Sequence, residues 1–205
     1  LSDPKSMHGE VFGKVLGIIG YGQFGIETAI RAKSLGKKTY GINRTEKKNT
    51  SQYLDWHGSL GELDFILKES DYLVLACDLN ESTKGLINKR TLSIMKKTAY
   101  LINVARGDIC VEEDLFNSLK NKNIAGAAID TWWIYPDRPK KGDKAEKAPR
   151  PSDYPFHKLD NVIMTPHNSA HTLEADLRRS KSILHNLLDF KKGKKPSGFV
   201  FYGNK

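Results

Sequence analysis

The feature that most limits the possible folds of this sequence is a glycine pattern between a strand-like segment and a helix-like segment. KVLGIIG (14–20) is rich in β-branched residues, and QFGIETAIRAKSLG (23–36) has apolar residues at helical spacing. The glycines at the junction form the pattern Gly20-x-Gly22-x-x-Gly25. The pattern alone is a weak signal, but after a strand and at the start of a helix it is typical of a dinucleotide site.

Each glycine has a physical role in such a site. We expect Gly20 to allow the tight turn, Gly22 to let the backbone approach a pyrophosphate, and Gly25 to let the helix pack closely on the strand. The N-terminus of the helix would stabilise the phosphate charge. The alternative is a glycine-rich turn that binds no ligand.

Similar strand and helix patterns alternate through most of the chain, and this alternation predicts the fold class. It indicates an α/β fold, a Rossmann-type doubly wound parallel sheet with helices on both faces. Ser59 and Glu62 have the spacing of a capping box at a helix start. PDRPKKGDKAEKAPRPSDYP (136–155) has no periodicity and is predicted to be a long mobile surface loop. The further predicted strands are 37–43, 71–77, 98–104, 123–130 and 161–167, and the further predicted helices are 59–70, 91–95, 111–122 and 171–193.

Composition argues against several classes of function. No apolar run approaches the ~20 residues that span a bilayer, and the first residues, LSDPKSMHGE, lack the pattern of a signal peptide. The formal net charge is +9, but the basic runs at 37–38, 44–48 and 191–195 form no one-sided stripe with aromatic residues. We therefore expect a solvated basic surface rather than nucleic-acid or membrane binding. Cys77 and Cys110 lie in or beside apolar strand-like runs, which predicts reduced thiols and a cytoplasmic setting.

The end of the second strand indicates which form of the cofactor binds. In NAD sites an acidic residue about 20 positions after the glycines takes the ribose hydroxyls. Here the strand ends in Asn43, and Arg44 follows. A carboxylate would repel a 2′-phosphate, whereas Asn43 and Arg44 can hydrogen-bond to one and neutralise it. This favours NADP over NAD, with Lys47 and Lys48 adding a weaker attraction; the alternative is that Arg44 is an ordinary surface residue.

Three longer blocks resemble the D-isomer-specific 2-hydroxyacid dehydrogenases, the family of glycerate, phosphoglycerate, D-lactate and formate dehydrogenases. GEVFGKVLGIIGYGQFG (9–25) resembles the start of the family's cofactor domain. LACDLNESTKGLINKRTLSIMKKTAYLINVARG (75–107) resembles its most characteristic block. NVIMTPHNSAHT (161–172) resembles the block that contains the catalytic histidine. The resemblance extends from about Gly9 to the C-terminus.

The resemblance implies roles for individual residues. Arg106 matches the arginine that binds the substrate's carboxylate and carbonyl oxygen, a task that suits a planar guanidinium. His167 matches the histidine that gives a proton to the carbonyl oxygen during reduction and takes it back during oxidation. Asp130 matches a carboxylate on the nicotinamide side of the cofactor. The other positions that match cofactor-binding residues of the family are Gln23, Phe24, Cys77, Asp78, Val104, Ala105 and Ser169.

The resemblance also predicts the domain organisation, with a dinucleotide-binding domain at 1–172 and a C-terminal helix and tail at 173–205. In the family, the substrate domain is built mostly from residues before the cofactor domain, and the chain returns to it at its end. Only the returning part is present in this sequence. We expect either a fragment of a longer protein or a natural chain that has lost the first domain, and we expect the 205-residue chain alone to be inactive.

A departure from the family lies in the aromatic segment after Asp130. In most of the family a glutamate five residues further on hydrogen-bonds the catalytic histidine, and here Tyr135 takes that position. A carboxylate orients an imidazole and stabilises its protonated form, whereas a tyrosine, with a pKa of ~10, can only orient it. Asp137 could substitute if the loop register shifts by two. The adjacent Trp132 and Trp133 are expected either to pack or to contact the ligand.

Together these observations predict an NADP- or NAD-dependent oxidoreductase for a small 2-keto or 2-hydroxy acid, such as glyoxylate, hydroxypyruvate or glycerate. Arg106 and His167 would be its catalytic residues, with Tyr135 beside them, and no metal is expected. The family commonly dimerises through this domain, which predicts a homodimer. The alternative is a cofactor-binding module without turnover, like the corepressors that share the family's fold.

Overall fold

A computed structural model of the chain describes residues 9–44, 52–135 and 150–197. The chain divides into two compact units, Leu1–His167 and Asn168–Lys205. The first unit contains a parallel sheet with its helices, and the second contains one long helix. The domain boundary that the sequence places after residue 172 stays a prediction.

The first unit is built on a sheet of seven parallel strands. In chain order these are β1 (Val15–Ile19), β2 (Lys38–Asn43), β3 (Trp56–Ser59), β4 (Tyr72–Leu75), β5 (Tyr100–Asn103), β6 (Gly126–Ile129) and β7 (Val162–Met164). They pair in the order β3-β2-β1-β4-β5-β6-β7. The order reverses between β1 and β4, so the carboxyl ends of these strands form a topological switch point. The predicted Rossmann-type sheet is confirmed.

Helices follow most strands, as the alternating pattern predicts. They are α1 (Gln23–Ser34), α2 (Leu63–Glu69), α3 (Lys89–Ile94), α4 (Glu112–Lys120) and α5 (Leu173–Lys191), with 3-10 turns at Leu60–Glu62, Gly107–Ile109 and Phe156–Lys158. The capping box is confirmed, because Ser59 and Glu62 each accept a hydrogen bond from the other's backbone. It begins the 3-10 turn that leads into α2.

Strand β3 was missed from the sequence. Its four residues, WHGS, show neither alternating hydrophobicity nor a β-branched run. Among the described strands, β3 is one of the two edge strands, and its single neighbour is β2. An edge strand needs one neighbour rather than two, so pairing with β2 outweighs its weak local preference.

The side chains of β1 alternate between two hydrophobic clusters, one on each face of the sheet. Ile18 packs with Ala29 of α1 and with Val74. Ile19 belongs to the larger cluster, which includes Leu75 and apolar residues of α2, α3 and α4. Burial of each isoleucine contributes roughly 1.5–3 kcal/mol. Because both faces are covered, β1 is a continuous apolar run.

The predicted mobile surface loop at 136–155 is wrong at its C-terminal end. Residues 136–149 lie outside the described part of the chain. Ser152 is buried, and its hydroxyl donates to the carboxylate of Glu112 at the start of α4. The same carboxylate oxygen accepts from the backbone N–H of Asp153 at 2.8 Å. These bonds dock the end of the loop on α4.

The second unit is described by itself. Its helix α5 begins at an N-cap, where the Thr172 hydroxyl accepts from the Ala175 backbone N–H at 3.0 Å. The helix is amphipathic in sequence, but none of its residues is buried. No helix within the described ranges has the length and apolarity that crossing a bilayer requires.

Candidate cofactor and active site

A cleft of about 340 Å³ opens at the switch point between β1 and β4. Ligands of open α/β sheets bind at such points, outside the carboxyl ends of the strands. Eight residues that the sequence assigns to cofactor binding line this cleft, namely Gly20, Gly22, Gln23, Phe24, Asn43, Arg44, Cys77 and Asp78.

The three glycines have the geometry that a pyrophosphate site requires. Gly20 has a φ of 96°, and a Cβ there would lie 2.5 Å from the Cys77 backbone. A Cβ on Gly25 would lie 2.7 Å from the Gly20 carbonyl oxygen. A Cβ on Gly22 would meet nothing within 4 Å, so its backbone faces open space at the start of α1. The residues present therefore fit a dinucleotide.

The side chain of Asn43 holds the glycine turn. Its Oδ1 accepts from the Tyr21 backbone N–H at 2.8 Å, and its Nδ2 faces the Tyr21 carbonyl and His57 Nε2, each at 3.4 Å. Arg44 follows as an exposed residue that lines the cleft. The end of β2 thus presents a neutral amide and a cation where NAD-specific sites have an acid.

A second cleft of about 350 Å³ lies beside the first and shares part of its wall. Phe24, Cys77 and Asp78 line both clefts. The residues that line only the second include three that the sequence assigned to the cofactor and substrate, Val104, Ala105 and Arg106.

The loop of Arg106 is held by a residue that sequence reasoning missed. Asn103, the last residue of β5, is fully buried, and its amide bonds to the Ala105 backbone N–H and the Arg106 carbonyl. A buried asparagine at a strand end is the signal that could have identified it, since such an amide must find partners nearby. Arg106 itself is exposed, and its Nη1 donates to the Ala105 carbonyl at 2.6 Å.

Asp130 lies buried just past the end of β6. Its Oδ1 accepts from the Thr165 hydroxyl at 2.6 Å. Thr165 follows β7, and its carbonyl accepts from the Trp132 indole N–H at 2.9 Å. The ends of β6 and β7 are therefore joined two residues before His167.

Tyr135 and His167 are in contact through their rings. The ring centroids lie 5.5 Å apart at an interplanar angle of 58°. The Tyr135 hydroxyl accepts from the Trp132 backbone N–H at 3.0 Å. His167 has a left-handed φ of 56°, which is uncommon outside glycine and is often found at functional positions. Among the described residues, no carboxylate forms an ion pair with His167. Asp137 lies outside them, as do Lys47 and Lys48.

The two tryptophans pack against the protein. Trp132 is buried, and Trp133 is stacked on Phe156 at 5.4 Å. Trp133 donates its indole N–H to the Cys110 carbonyl at 2.9 Å. Since both indole N–H groups bind backbone carbonyls, these side chains serve packing within the first unit.

The two cysteines are free thiols in the reduced form that the sequence predicts. Burial raises the pKa of Cys77 to about 11, and the charge of Asp78 adds to the effect. Burial raises the pKa of Cys110 far above its usual range. Neither thiol is a nucleophile at neutral pH. The described ranges contain no cluster of three or more His, Cys, Asp or Glu residues that could hold a metal ion. Ser169 belongs to the second unit.

The fold and the glycine-lined cleft define a Rossmann-type dinucleotide-binding domain. Residues 2–169 match the family described as D-isomer specific 2-hydroxyacid dehydrogenase, NAD binding domain. The chain belongs to this family, as its motifs predict.

Curated relatives agree with this assignment. The chain is 35% identical over 191 residues to a glyoxylate reductase of Pyrococcus furiosus, with 93% of this chain and 52% of the relative covered. It is 36% identical over 193 residues to a glyoxylate reductase of Thermofilum pendens, with the same coverage of 93% and 52%. The chain spans about half the length of the curated relatives it matches.

Solved structures share the fold. A D-isomer specific 2-hydroxyacid dehydrogenase from Lactobacillus delbrueckii ssp. bulgaricus in its NAD complexed form has a TM-score of 0.80 and 28% identity, over 98% of this chain and 60% of that chain. An acyclic imino acid reductase in complex with NADPH and D-Arg has a TM-score of 0.78 and 27% identity, over 97% and 57%. The neighbours thus include proteins with either form of the cofactor.

Proposed function

We propose that this chain is the cofactor-binding half of a reductase that converts a small 2-keto acid, such as glyoxylate or hydroxypyruvate, to the 2-hydroxy acid. The observation that supports this most directly is the wall shared by the two clefts. Phe24, Cys77 and Asp78 line both the glycine cleft and the cleft beside Arg106. A dinucleotide with its phosphates at the glycines can extend along this wall towards the guanidinium.

Arg106 would hold the substrate carboxylate and polarise the carbonyl, because its exposed guanidinium has further N–H donors beyond the one bound to Ala105. His167 would give a proton to the carbonyl oxygen. The reduced nicotinamide, when bound, supplies the hydride. Tyr135 would orient the imidazole through the ring contact. Asp130 would lie at the nicotinamide side, next to the strand end that it terminates.

NADPH is the proposed preferred cofactor. Asn43 is held by Tyr21 and brings no negative charge to the end of β2. Arg44 lines the same cleft and can attract the 2′-phosphate, whereas an aspartate at the end of β2 would repel it. NADH is the second choice, since the glycine site serves both.

A second candidate function is a cofactor-sensing module without turnover. It is favoured by Tyr135, which stands where most of the family has a carboxylate. The presence of both Arg106 and His167 argues for the enzyme. We propose a homodimer in either case.

The test is to titrate the chain with NADPH and NADH by fluorescence and then to add glyoxylate while following the reduced cofactor. We expect binding with slow or no turnover, because the chain spans about half the length of its curated relatives. Substrate capture and water exclusion would need the residues of the other half. Failure to bind either cofactor would contradict the proposal. Rapid turnover would show that the chain is a complete reductase, and Arg106→Ala should then abolish it.

A further inference from the structure

We propose that Asn103 is a positioning residue that fixes the loop of Arg106 against the segment that contacts His167. The proposal rests on the proposed function, which gives Arg106 and His167 their roles. Asn103 would touch neither substrate nor cofactor. It would act by setting the separation of the two groups that do.

The hydrogen bonds of Asn103 support this role. The side chain is fully buried at the end of β5. Its Oδ1 accepts from the Ala105 backbone N–H at 3.0 Å and from the Thr131 hydroxyl at 3.2 Å. Its Nδ2 donates to the Arg106 carbonyl at 2.9 Å. A contact to Cys110 Sγ at 3.8 Å completes the set, so the amide is fully used.

These partners belong to two different loops. Ala105 and Arg106 follow β5, whereas Thr131 follows β6 directly after Asp130. The main chains are joined as well, because the Asp130 N–H donates to the Asn103 carbonyl at 3.0 Å. One buried amide therefore connects the loop that would bind substrate with the next strand end. A buried amide that loses a partner leaves polar groups unsatisfied, so its geometry is strongly defined.

The segment after Thr131 extends this connection to His167. The Trp132 backbone N–H holds the Tyr135 hydroxyl, and the Tyr135 ring lies 5.5 Å from the His167 ring. The Trp132 indole holds the Thr165 carbonyl at 2.9 Å. A shift of Thr131 would therefore be felt by both the ring and the backbone next to His167.

Close backbone packing prevents the two loops from moving independently. A Cβ on Gly107 would lie 2.4 Å from the Trp132 carbonyl oxygen. The residue after Arg106 thus touches the segment after Thr131. Asn103 sets the register of this contact through its bonds to both sides.

The experiment compares three variants by NMR. Thr131→Val is nearly isosteric and removes only the hydroxyl on Asn103 Oδ1. Asn103→Asp keeps an acceptor but cannot donate to the Arg106 carbonyl. Asn161→Ala is the matched control. The Asn161 amide likewise binds the backbone, by donating to two carbonyls at 3.2 Å each, but Asn161 precedes β7 at the opposite end of the sheet.

A substitution on one side of the connection should change a signal on the other side. Thr131→Val should speed hydrogen exchange of the Ala105 amide by roughly tenfold, the factor for one net hydrogen bond. Asn103→Asp should shift the imidazole resonances of His167, although Asn103 ends β5 and His167 follows β7. Asn161→Ala should change neither. Unchanged Ala105 exchange in Thr131→Val, or equal effects in Asn161→Ala, would overturn the proposal.

Thr131→Val keeps the proposal testable if Asn103→Asp does not fold, since it leaves the Asn103 amide and its bonds to Ala105 and Arg106 in place. The NADPH affinity of Thr131→Val should stay within about twofold, because Thr131 lines neither cleft and the glycine site lies on β1 and α1. If NADPH does not bind even to the unaltered chain, the proposed function fails. The resonance comparison still decides whether Asn103 couples the two loops.

Discussion

The hydroxyl of Tyr135 accepts the backbone N–H of Trp132 at 3.0 Å, so the tyrosine presents its ring rather than its hydroxyl to His167. This contact can orient the imidazole but adds no negative charge. In a reductase that contains this chain, reduction should fall as the pH rises, because the step consumes a proton. Tyr135→Glu should move this falling limb upwards by about one pH unit or more, because a nearby carboxylate favours the protonated imidazole. The measurement is the pH profile of kcat/KM for glyoxylate.

Tyr135→Phe is the control for this prediction. It keeps the ring contact and removes the hydroxyl bond to Trp132, so the position of the limb should not change. If the limb is also unchanged in Tyr135→Glu, another carboxylate already pairs with the imidazole. Asp137 is then the first residue to replace.

Arg44 should determine the preference for NADPH. A charge-assisted pair with the 2′-phosphate is worth roughly 1.5–3 kcal/mol, which corresponds to about one to two powers of ten in affinity. Arg44→Ala should therefore weaken NADPH binding by that factor and leave NADH binding nearly unchanged. Titration of both cofactors at moderate salt measures the effect.

Arg31→Ala removes the same charge elsewhere on the surface, where Arg31 pairs with Glu27 on α1. It should leave the ratio of the two affinities unchanged. Asn43→Asp combined with Arg44→Ala should reverse the preference. Equal affinities for both cofactors in the unaltered chain would mean that Arg44 does not reach the phosphate.

Two glycines of the same motif should respond differently to alanine. Gly22→Ala meets open space, so the variant should fold with a stability loss of about 1 kcal/mol or less. Its methyl group would occupy the space of the pyrophosphate, and cofactor binding should fall at least about tenfold. Gly20→Ala meets the Cys77 backbone at 2.5 Å and requires a left-handed φ, so it should destabilise the fold itself. Urea unfolding and cofactor titration separate the two, and normal NADPH binding by Gly22→Ala would argue against a pyrophosphate at this turn.

Most of the fold could be predicted because the pattern is local. β1 is apolar on both faces and the Ser59–Glu62 capping box is a short-range signal, so each is readable from a few neighbouring residues. β3 could not be predicted, since it forms only because β2 offers a free edge. Contacts that depend on long-range pairing were also beyond prediction at the site. Family motifs located Arg106 and His167, but the bonds of Asn103 to Thr131 and of Tyr135 to Trp132 depend on which strands are adjacent.

The acid stability of the fold should depend on Asp71, which lies at the other end of the sheet from the cofactor cleft. Burial alone would raise the pKa of this carboxyl, but hydrogen bonds from the Val15 backbone and the Lys96 ammonium outweigh it and hold the pKa below its usual value. A carboxyl whose pKa is lowered by folding stabilises the protein above its unfolded pKa of ~3.9, and this contribution is lost as the pH falls through the lower folded value. Asp71→Asn should therefore lower the free energy of unfolding at pH 7 by about 1–3 kcal/mol.

The difference between Asp71→Asn and the unaltered chain should begin to shrink as the pH falls below about 4, where the carboxyl of the unfolded chain takes up a proton. It should be lost in full only below the lower folded pKa, where Asp71 is neutral in both states. Urea unfolding at neutral and acidic pH measures it. Asp160→Asn is the control, since Asp160 forms an exposed ion pair with Lys122, and its urea midpoint should stay unchanged. A destabilisation of Asp71→Asn that persists in full in acid would show that shape, and not charge, makes Asp71 important to the sheet.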